Sequence, residues 1–449
     1  MSKQRRALLS VTFILLVAVF TTGVIVGKGL RTALSAETEG YDELKVFSEV
    51  LSMVQKNYVE ETKTKDLVYG AIRGMLNTLD PHSSFMTPEM YREIQVDTKG
   101  EFGGLGIQIG TKDNRLTVIA PIDGTPAERA GIKAGDFIVK VDDLTTKDMT
   151  LMEAVQNMRG PKGSKVTLTI LREGADNPLT FNLVREIIKI DSVKSKMLES
   201  NIGYVQLTQF QEMTSRDLAS ALKKLKEAKA QALILDLRNN PGGLLTAAVE
   251  TTELFLPPGK TIVSIKGRDP KKDKDDYLSS NQNPDDKYNI IVLVNEGSAS
   301  ASEIVSGALQ DWGRAVILGT QTFGKGSVQT ILQLNDGSGL RLTTAKYYTP
   351  KGRSIQNVGI TPDIIVKAAS ALQDKENLPS LREKDLERHL INETLPQKLS
   401  KELKSPVEAP ERITKPGDSG ESDLQLQKAI DLLKTWEIFK ESSKLQTPG

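Results

Sequence analysis

The sequence predicts a multidomain α/β protein. Strand and helix patterns alternate between residues 187 and 366, where residues 203–207 are predicted as a strand, residues 218–227 as an amphipathic helix and residues 232–236 as a buried strand. A glycine-rich segment of different character precedes this region, and 449 residues are enough for roughly three domains. Alternation of this kind is typical of helices packed on a mostly parallel sheet.

The composition excludes several classes of protein. Lys and Arg total 59 and Asp and Glu total 58, so the charge balance does not favour nucleic acid as a partner. The absence of cysteine excludes disulfides, thiol catalysis and cysteine metal sites. The two histidines, His82 and His389, lack the spacing of a zinc-peptidase helix. Neither histidine lies near a strand end of the core region, which disfavours a histidine-based serine triad.

Residues 1–40 are predicted to be a membrane anchor and a short linker. Basic residues precede an uncharged, mostly apolar stretch at residues 7–27, which as a helix would reach about 30 Å and could cross a bilayer. This length favours a signal anchor over a cleavable signal ending near residues 33–36. We therefore expect a single-pass protein of the bacterial inner membrane, with its body on the periplasmic side.

Residues 41–99 are predicted to be helical. Apolar residues recur at helical spacing, and Asp80 and Pro81 end this pattern because proline disfavours helical backbone in the residue before it. This region is interpreted as a small helical cap or an oligomerising element, so a homo-oligomer is expected. His82, which follows the proline, is interpreted as a structural residue of the turn.

Residues 100–186 are glycine-rich and resemble a PDZ domain of the bacterial type, most specifically in residues 126–136. The resemblance implies that a peptide adds as a strand while loop N–H groups bind its terminal carboxylate. The residues expected to bind this C-terminus are Gly104, Leu105, Gly106 and Ile107.

Arg159 follows the short helix of this domain. It is a candidate for pairing with a carboxylate or for reporting groove occupancy to the catalytic part. The alternative is a solvated arginine that complements the helix dipole.

The stretch from Asn295 to Gln329 carries the candidate chemistry. Small residues follow a buried apolar run there and open a helix, whose free N–H groups would stabilise an oxyanion. The residue types alone do not choose the nucleophile, and the spacing of Ser300 and Glu303 also fits a capping box. The candidate serines are Ser298, Ser300, Ser302 and Ser306.

A serine nucleophile needs a base, and Lys325 is the candidate because two glycines flank it. Lysine must be desolvated to be neutral near pH 7, and the alternative is an ordinary surface lysine. Gln329 lies four residues later and could orient the amine. The N–H of Gly242 or Gly243, together with that of Ala301, could form an oxyanion hole.

Several motifs in order resemble the carboxyl-terminal processing proteases, also called tail-specific proteases. This resemblance covers residues 41–368 and implies a serine–lysine peptidase core of crotonase-like (ClpP/crotonase-type) topology at residues 187–368. The matching stretches are residues 79–83, 235–243, 295–303, 324–326 and 347–352.

The resemblance assigns Ser300 as the nucleophile, Lys325 as the base and Gln329 as the third catalytic residue. It implies an acyl-enzyme mechanism without a metal or organic cofactor. The expected partners are protein or peptide substrates bound by their C-terminus, with an activating adaptor protein as a further candidate. The alternatives are a membrane-anchored, non-catalytic PDZ adaptor and an acyl-CoA enzyme.

Residues 369–449 lie outside the resemblance. Residues 395–421 are rich in Pro, Lys, Glu and Ser, which indicates a linker, and apolar spacing then predicts an amphipathic helix. A docking or dimer helix is favoured over a membrane helix because charged residues interrupt its apolar face.

Overall fold

The computed structural model describes residues 41–112, 115–147, 149–285, 288–367, 381–394 and 423–445. The chain folds as two units that divide after Met75. The predicted anchor at residues 7–27 lies outside the described residues. Within those residues, every helix is too short or too polar to span a bilayer.

The first unit holds α1 (residues 41–57) and most of α2 (Thr64–Leu76). Gln55 Nε2 donates to Thr64 Oγ1 at 2.7 Å across the break between the two helices. Helix α1 exposes large apolar side chains, among them Leu44, Phe47 and Val50. The helical spacing read from the sequence therefore corresponds to real helices, although α1 does not bury its apolar face.

The second unit begins with β1 (Ser84–Met86), α3 (Pro88–Lys99) and β2 (Glu101–Gly104). Helix α3 starts where the Thr87 hydroxyl accepts from a backbone N–H, and Pro88 fits the first turn because no hydrogen bond is lost there. It ends at Gly100, whose φ of 72° is a left-handed conformation suited to glycine.

A small β-rich domain follows, built on a six-stranded antiparallel sheet with two short helices. Its core is a single cluster that includes Val118, Ile138 and Leu168. Strand β2 pairs with a later strand, β9 (Glu186–Lys189), so the chain enters and leaves the domain along one antiparallel ribbon. The elements within it are β3 (Ile107–Lys112), β4 (Arg115–Pro121), α4 (Pro126–Arg129), β5 (Phe137–Val141), β6 (Leu144–Thr145), α5 (Leu151–Met158), β7 (Lys165–Leu171) and β8 (Leu179–Val184).

The large α/β core begins after this ribbon and contains two sheets. Its elements are β10 (Val193–Met197), β11 (Ile202–Leu207), α6 (Thr214–Glu227), β12 (Ala232–Asp236), α7 (Leu245–Glu253), β13 (Thr261–Lys266), β14 (Lys274–Leu278), β15 (Asn289–Val294), α8 (Ala301–Asp311), β16 (Ala315–Gly319), β17 (Ser327–Gln333), β18 (Gly339–Tyr348), β19 (Ile364–Ile365) and α9 (Leu424–Leu445). Short 3₁₀ turns lie at Glu199–Asn201 and Glu383–Asp385.

The main sheet has the order β10-β11-β12-β15-β16-β19 and is parallel except for the β10 edge. One face packs against α6, α7 and α8, and the other packs against α9 through Ala429, Ile430 and Leu433. Because they are covered on both faces, the central strands β12, β15 and β16 are apolar except for Asp236 and Asn289 at strand ends. The predicted C-terminal helix is thus a docking helix, although its Trp436 and Ile438 remain exposed.

The second sheet has β18 at its centre, flanked by β1, β13 and β17. The Asp, Lys, Asn and Pro content of residues 268–287 predicts a solvated loop. That prediction is wrong in part, because β14 forms there and pairs with β13. Its charged side chains suit an exposed edge strand, where they discourage further pairing. Composition alone therefore concealed a strand.

Helix α9 is also tied to the loop that follows β12. The Arg238 guanidinium lies 2.6 Å from an Asp236 oxygen and 2.7 Å from an Asp423 oxygen at the start of the helix. Asp236 is fully buried, whereas Asp423 is about two-fifths exposed. Arg238 therefore neutralises a buried carboxylate and anchors a helix from the far end of the chain.

We expect Arg238→Met to lower the free energy of unfolding of this core by about 3–5 kcal/mol, because the buried Asp236 charge loses its partner. Asp423→Asn is the matched control and should cost about 1 kcal/mol or less, since that pair is half-exposed. Urea unfolding of both variants checks this. Equal losses would contradict the assignment of Asp236 as the dominant partner.

Candidate active site

The site lies where the parallel strands β12 and β15 end side by side, the edge at which α/β sheets bind ligands. The loops that follow them are joined by Asn239 and Asn295. Asn239 N–H donates to Asn295 Oδ1, and Asn295 Nδ2 donates to Asn239 Oδ1, both at 2.8 Å. This reciprocal pair fixes the two loops against each other.

Ser300 is the residue immediately before α8, in a strained conformation with φ 54° and ψ −111°. Such backbone costs about 1–3 kcal/mol in a non-glycine residue and is concentrated at functional sites. The buried helix α8 follows directly, so its packing holds Ser300 in this strained conformation at the start of the helix.

The structure separates the four candidate serines. All of them except Ser300 are fully buried, and each buried serine donates its hydroxyl proton to a backbone carbonyl: Ser298 to Leu237, Ser302 to Asn240 and Ser306 to Ser302. Ser300 is partly exposed. A hydroxyl that must attack a substrate needs access, and Ser300 alone among the four has that access.

The Glu303 carboxylate joins the nucleophile turn to the lysine loop. Its Oε2 accepts from Ser300 N–H at 2.8 Å and Lys325 N–H at 3.0 Å, and its Oε1 accepts from Thr322 Oγ1 at 2.6 Å and Gly324 N–H at 2.8 Å. Burial raises the pKa of Glu303 to about 7 against the opposing effect of these donors. The two backbone nitrogens on Oε2 are consequently within about 6 Å of each other.

The Lys325 backbone is held on both sides. Tyr347 donates its hydroxyl proton to the Lys325 carbonyl, and burial raises the pKa of that phenol well above its usual value, so it stays a donor. The next N–H, of Gly326, donates to Gln356 Oε1 at 2.9 Å. A side chain at Gly326 would meet the Gln356 backbone at 2.5 Å, and Gly324 has a φ of 99°, so both flanking positions require glycine.

The Lys325 side chain is mostly removed from solvent, and burial lowers the pKa of its amine. The facing charges oppose one another: Glu383, Glu303 and Asp80 raise the pKa, and Arg341 lowers it. Within the described residues, no carboxylate lies within ion-pair distance of the Lys325 amine. The surroundings thus favour a neutral amine near neutral pH more than a surface position would.

Gln329 lies on β17, and its Nε2 donates to Ser327 Oγ at 2.9 Å and toward Thr343 Oγ1 at 3.4 Å. Thr343 gives its own proton to Asp80 Oδ1 at 3.1 Å, so its oxygen can only accept from Gln329. This fixes the direction of the Gln329 amide and leaves its carbonyl oxygen for another donor. Among the described contacts, Gln329 does not bond to Lys325, so its predicted orienting role remains a prediction.

Gly242 lies directly against the nucleophile turn. A Cβ there would stand 2.8 Å from the Ser300 Cβ and 3.0 Å from the Ala301 nitrogen. Its own N–H, however, donates to Asn240 Oδ1 at 2.9 Å. Gly242 therefore gives the turn room but has already committed the N–H that an oxyanion would need.

Gly243 is the better placed of the two predicted glycines. Its neighbours bond to Phe210, through the Gly242 carbonyl and the Leu244 N–H, so the Gly243 N–H points away from Phe210. That N–H and the N–H of Ala301, the first of α8, bond to no acceptor among the described residues. They therefore remain the candidate donors to an oxyanion.

In the small β domain, the N–H groups of Leu105 and Gly106 donate to no group that the structure describes, whereas the Leu105 carbonyl accepts from Ala127. Gly106 has a φ of 75°, which lets this loop turn beside Thr125. Gly104 ends β2 and Ile107 starts β3. The loop therefore presents backbone donors where a carboxylate was expected.

Arg159 is not the solvated residue of the alternative interpretation. Its guanidinium lies 2.5 Å from a Glu93 oxygen of α3 and 4.4 Å from the centre of the Phe102 ring. It is one-quarter exposed. Arg159 thus links the small domain to α3, and its role in reporting groove occupancy remains a prediction.

Comparison with known proteins identifies the modules. Three family models match: Peptidase family S41 over residues 201–366, PDZ domain over residues 103–183, and Activating protease CtpB N-terminal domain over residues 24–90. A carboxy-terminal-processing protease of Bartonella bacilliformis is 46% identical over 376 residues, which is 83% of this chain and 86% of the relative.

A carboxyl-terminal-processing protease of Synechocystis sp. is 36% identical over 392 residues, which is 82% of this chain and 89% of that protein. Among solved structures, the photosystem II D1 C-terminal processing protease is 32% identical, covers 72% of this chain and 92% of its own, and has a TM-score of 0.42.

Relatives this similar over most of both sequences establish the family. The chain belongs to peptidase family S41 and is a serine-type peptidase with a PDZ domain. Within that family it is a carboxyl-terminal processing protease. The recognition made from the sequence motifs is confirmed.

Sequence reasoning missed part of the site. It read Glu303 as a capping residue only, and it gave no role to Tyr347, Gln356 or Glu383. Of these three residues, Tyr347 lies in a stretch that matches the family, residues 347–352, and could have been identified there. Glu383 lies beyond the family match.

We expect Glu303→Gln to lower the free energy of unfolding by about 2–5 kcal/mol, because two of the four donors would face an amide NH₂ in place of an oxygen. Peptidase activity should fall with it. Glu296→Gln is the matched control, since that carboxylate is exposed and, among the described residues, accepts from Thr320 alone. Urea unfolding and peptide cleavage are the measurements, and equal stability of the two variants would contradict the joining role of Glu303.

Proposed function

We propose that Ser300 and Lys325 form the catalytic dyad of an endopeptidase that cleaves proteins selected by their C-termini. The observation that carries the proposal is the state of the four serines: Ser300 is accessible and strained, and the others are buried and committed. Lys325 supports it as a mostly buried lysine with a lowered pKa, held on the same Glu303 oxygen as the Ser300 backbone.

In the proposed reaction, neutral Lys325 accepts the Ser300 hydroxyl proton as the serine oxygen attacks the scissile carbonyl carbon. The oxyanion accepts hydrogen bonds from the N–H groups of Ala301 and Gly243. The tetrahedral intermediate collapses, and the lysine proton passes to the departing amine, leaving an acyl-enzyme on Ser300. Lys325 then takes a proton from water as the water oxygen attacks the ester carbonyl. The proton passes from Lys325 to Ser300 Oγ as the ester bond breaks, which releases the acid product and restores both residues.

The PDZ domain supplies the proposed selection of substrates. Its free Leu105 and Gly106 N–H groups would bind a terminal carboxylate while the peptide adds as a strand. The names of the relatives support this, because they describe processing of carboxyl termini. We also infer that the peptidase core has crotonase-type topology, for which the parallel order of its main sheet is the support.

We further propose that residues 7–27 anchor the protein in the bacterial inner membrane, with the peptidase on the periplasmic side. The support is the apolar length of that stretch and the absence of cysteine. The match of residues 24–90 to the N-terminal domain of an activating protease supports an activating partner. Exposed apolar side chains on α1 support a homo-oligomer.

We expect Ser300→Ala to abolish cleavage of an unstructured protein such as casein by residues 34–449, and Lys325→Ala to reduce it about 10²–10⁴-fold. Because the base must be neutral, kcat/KM should rise with pH through a limb that lies below the usual 10.5 of lysine, since burial lowers the pKa of Lys325.

The matched control for the base is Lys351→Ala, because Lys351 is an exposed lysine of the same core. It should leave both the rate and the pH profile unchanged. Full activity of Lys325→Ala, or a flat profile from pH 5 to 9, would remove the lysine from the mechanism. An inert unaltered protein would favour the non-catalytic adaptor.

We expect a peptide substrate with an amidated C-terminus to have a KM about ten-fold higher than the same peptide with a free carboxylate, because the PDZ loop loses a charge-assisted hydrogen bond. Steady-state kinetics on the paired peptides measure this. As a control, acetylating the N-terminus of the peptide should change little. Equal KM values for the amide and the acid would argue against tail recognition.

A further inference from the structure

A buried, hydrogen-bonded pair of side chains lies outside the proposed dyad. His82 Nε2 is 2.7 Å from one oxygen of Glu383 and 3.0 Å from the other, although the two residues are 301 positions apart. Glu383 is fully buried, and His82 is 14% exposed. A carboxylate removed from water in this way needs donors, and His82 supplies one.

Glu383 is connected to the loop of Lys325 through one side chain, that of Gln356. It accepts from Gln356 Nε2 at 2.8 Å, and Gln356 Oε1 accepts from Gly326 N–H at 2.9 Å. The amide orientation of Gln356 is set at both ends, because the backbone N–H can only donate and an ionised carboxylate can only accept. The chain of bonds from His82 thus ends on the residue after Lys325.

The segment that carries Glu383, residues 381–394, is bonded to the same loops at other points. Arg382 Nη2 donates to the carbonyl of Val358 at 2.7 Å, and Asn392 Nδ2 donates to the carbonyl of Gln356 at 2.6 Å. The segment lies beyond residue 366, where the S41 match ends. The segment nevertheless packs against the loop that carries Lys325.

Glu383 also acts by its charge. Burial lowers the pKa of Lys325, and of the charges that face the amine Glu383 has the largest influence, raising the pKa. Glu303 and Asp80 act in the same direction and Arg341 in the opposite one. The same side chain that supports the loop therefore tunes how readily its lysine gives up a proton.

We propose that His82 and Glu383 are positioning residues of the peptidase reaction, which hold the Lys325 backbone through Gln356 and Gly326. The inference rests on the proposed Ser300–Lys325 dyad. Neither residue touches the reacting atoms, so their removal should change kcat and leave substrate binding unaffected.

The first test is Glu383→Gln, which keeps the volume and one acceptor oxygen but removes the charge. We expect kcat to fall about ten-fold or more with KM unchanged, because the loop loses a fixed acceptor. The acid limb of the pH–rate profile should move down by about half a unit or more, since losing a nearby negative charge lowers the pKa of Lys325. Glu387→Gln, an exposed carboxylate of the same segment, is the matched control and should change neither quantity.

The second test separates the donor at His82 from mere packing. His82→Ala should lose about ten-fold or more in kcat, whereas His82→Gln, whose amide can still donate to Glu383, should recover most of that loss. His389→Gln is the control at the other histidine and should behave as the unaltered protein. Circular dichroism establishes that each variant is folded, and if Glu383→Gln does not fold, the His82 pair decides the question.

Two outcomes would overturn the inference while the proposed function stands. One is an active unaltered enzyme in which Glu383→Gln matches Glu387→Gln in kcat and in its acid limb. The other is His82→Gln losing as much kcat as His82→Ala. Failure of the proposed function is recognised differently, as cleavage that persists in Ser300→Ala.

Discussion

The active site depends on one buried carboxylate. Glu303 accepts four hydrogen bonds. Two come from the backbone N–H groups of Ser300 and Lys325, and two come from Thr322 and Gly324 in the loop that leads to Lys325. Without it, the Ser300 turn and the Lys325 loop would lose four hydrogen bonds and keep the backbone bond from the Phe323 N–H to the Ser298 carbonyl. A group with two oxygens and no protons of its own suits this task, because every neighbour there is a donor.

Much of the fold was readable from local sequence. Apolar runs marked the central strands, and small residues after residue 294 marked the start of a helix that a partly exposed serine precedes. The choice of Ser300 over its neighbours was not readable, because it depends on which hydroxyl finds a carbonyl after folding. The family resemblance supplied that choice, and the burial of the other three serines now gives it a physical reason.

Contacts between distant parts of the chain could not be predicted. Glu383 lies 301 positions from His82 and beyond the family motifs, so no spacing rule connects them. A local contact was missed as well, because the Gly242 N–H is taken by the side chain of Asn240, two residues earlier. Strand β14 was missed for a different reason, since its charged residues are typical of loops and only its partner strand makes it a strand.

The PDZ domain is inserted between α3 and the core, and both of its connections run through the antiparallel pair β2 and β9. The chain therefore enters and leaves the PDZ domain at adjacent points. Among the described strands, none belongs to both the PDZ sheet and the main sheet of the core. The domain is thus an exchangeable cassette. A different peptide-binding domain could replace the PDZ domain at the β2–β9 pair, and the peptidase core would keep its own two sheets.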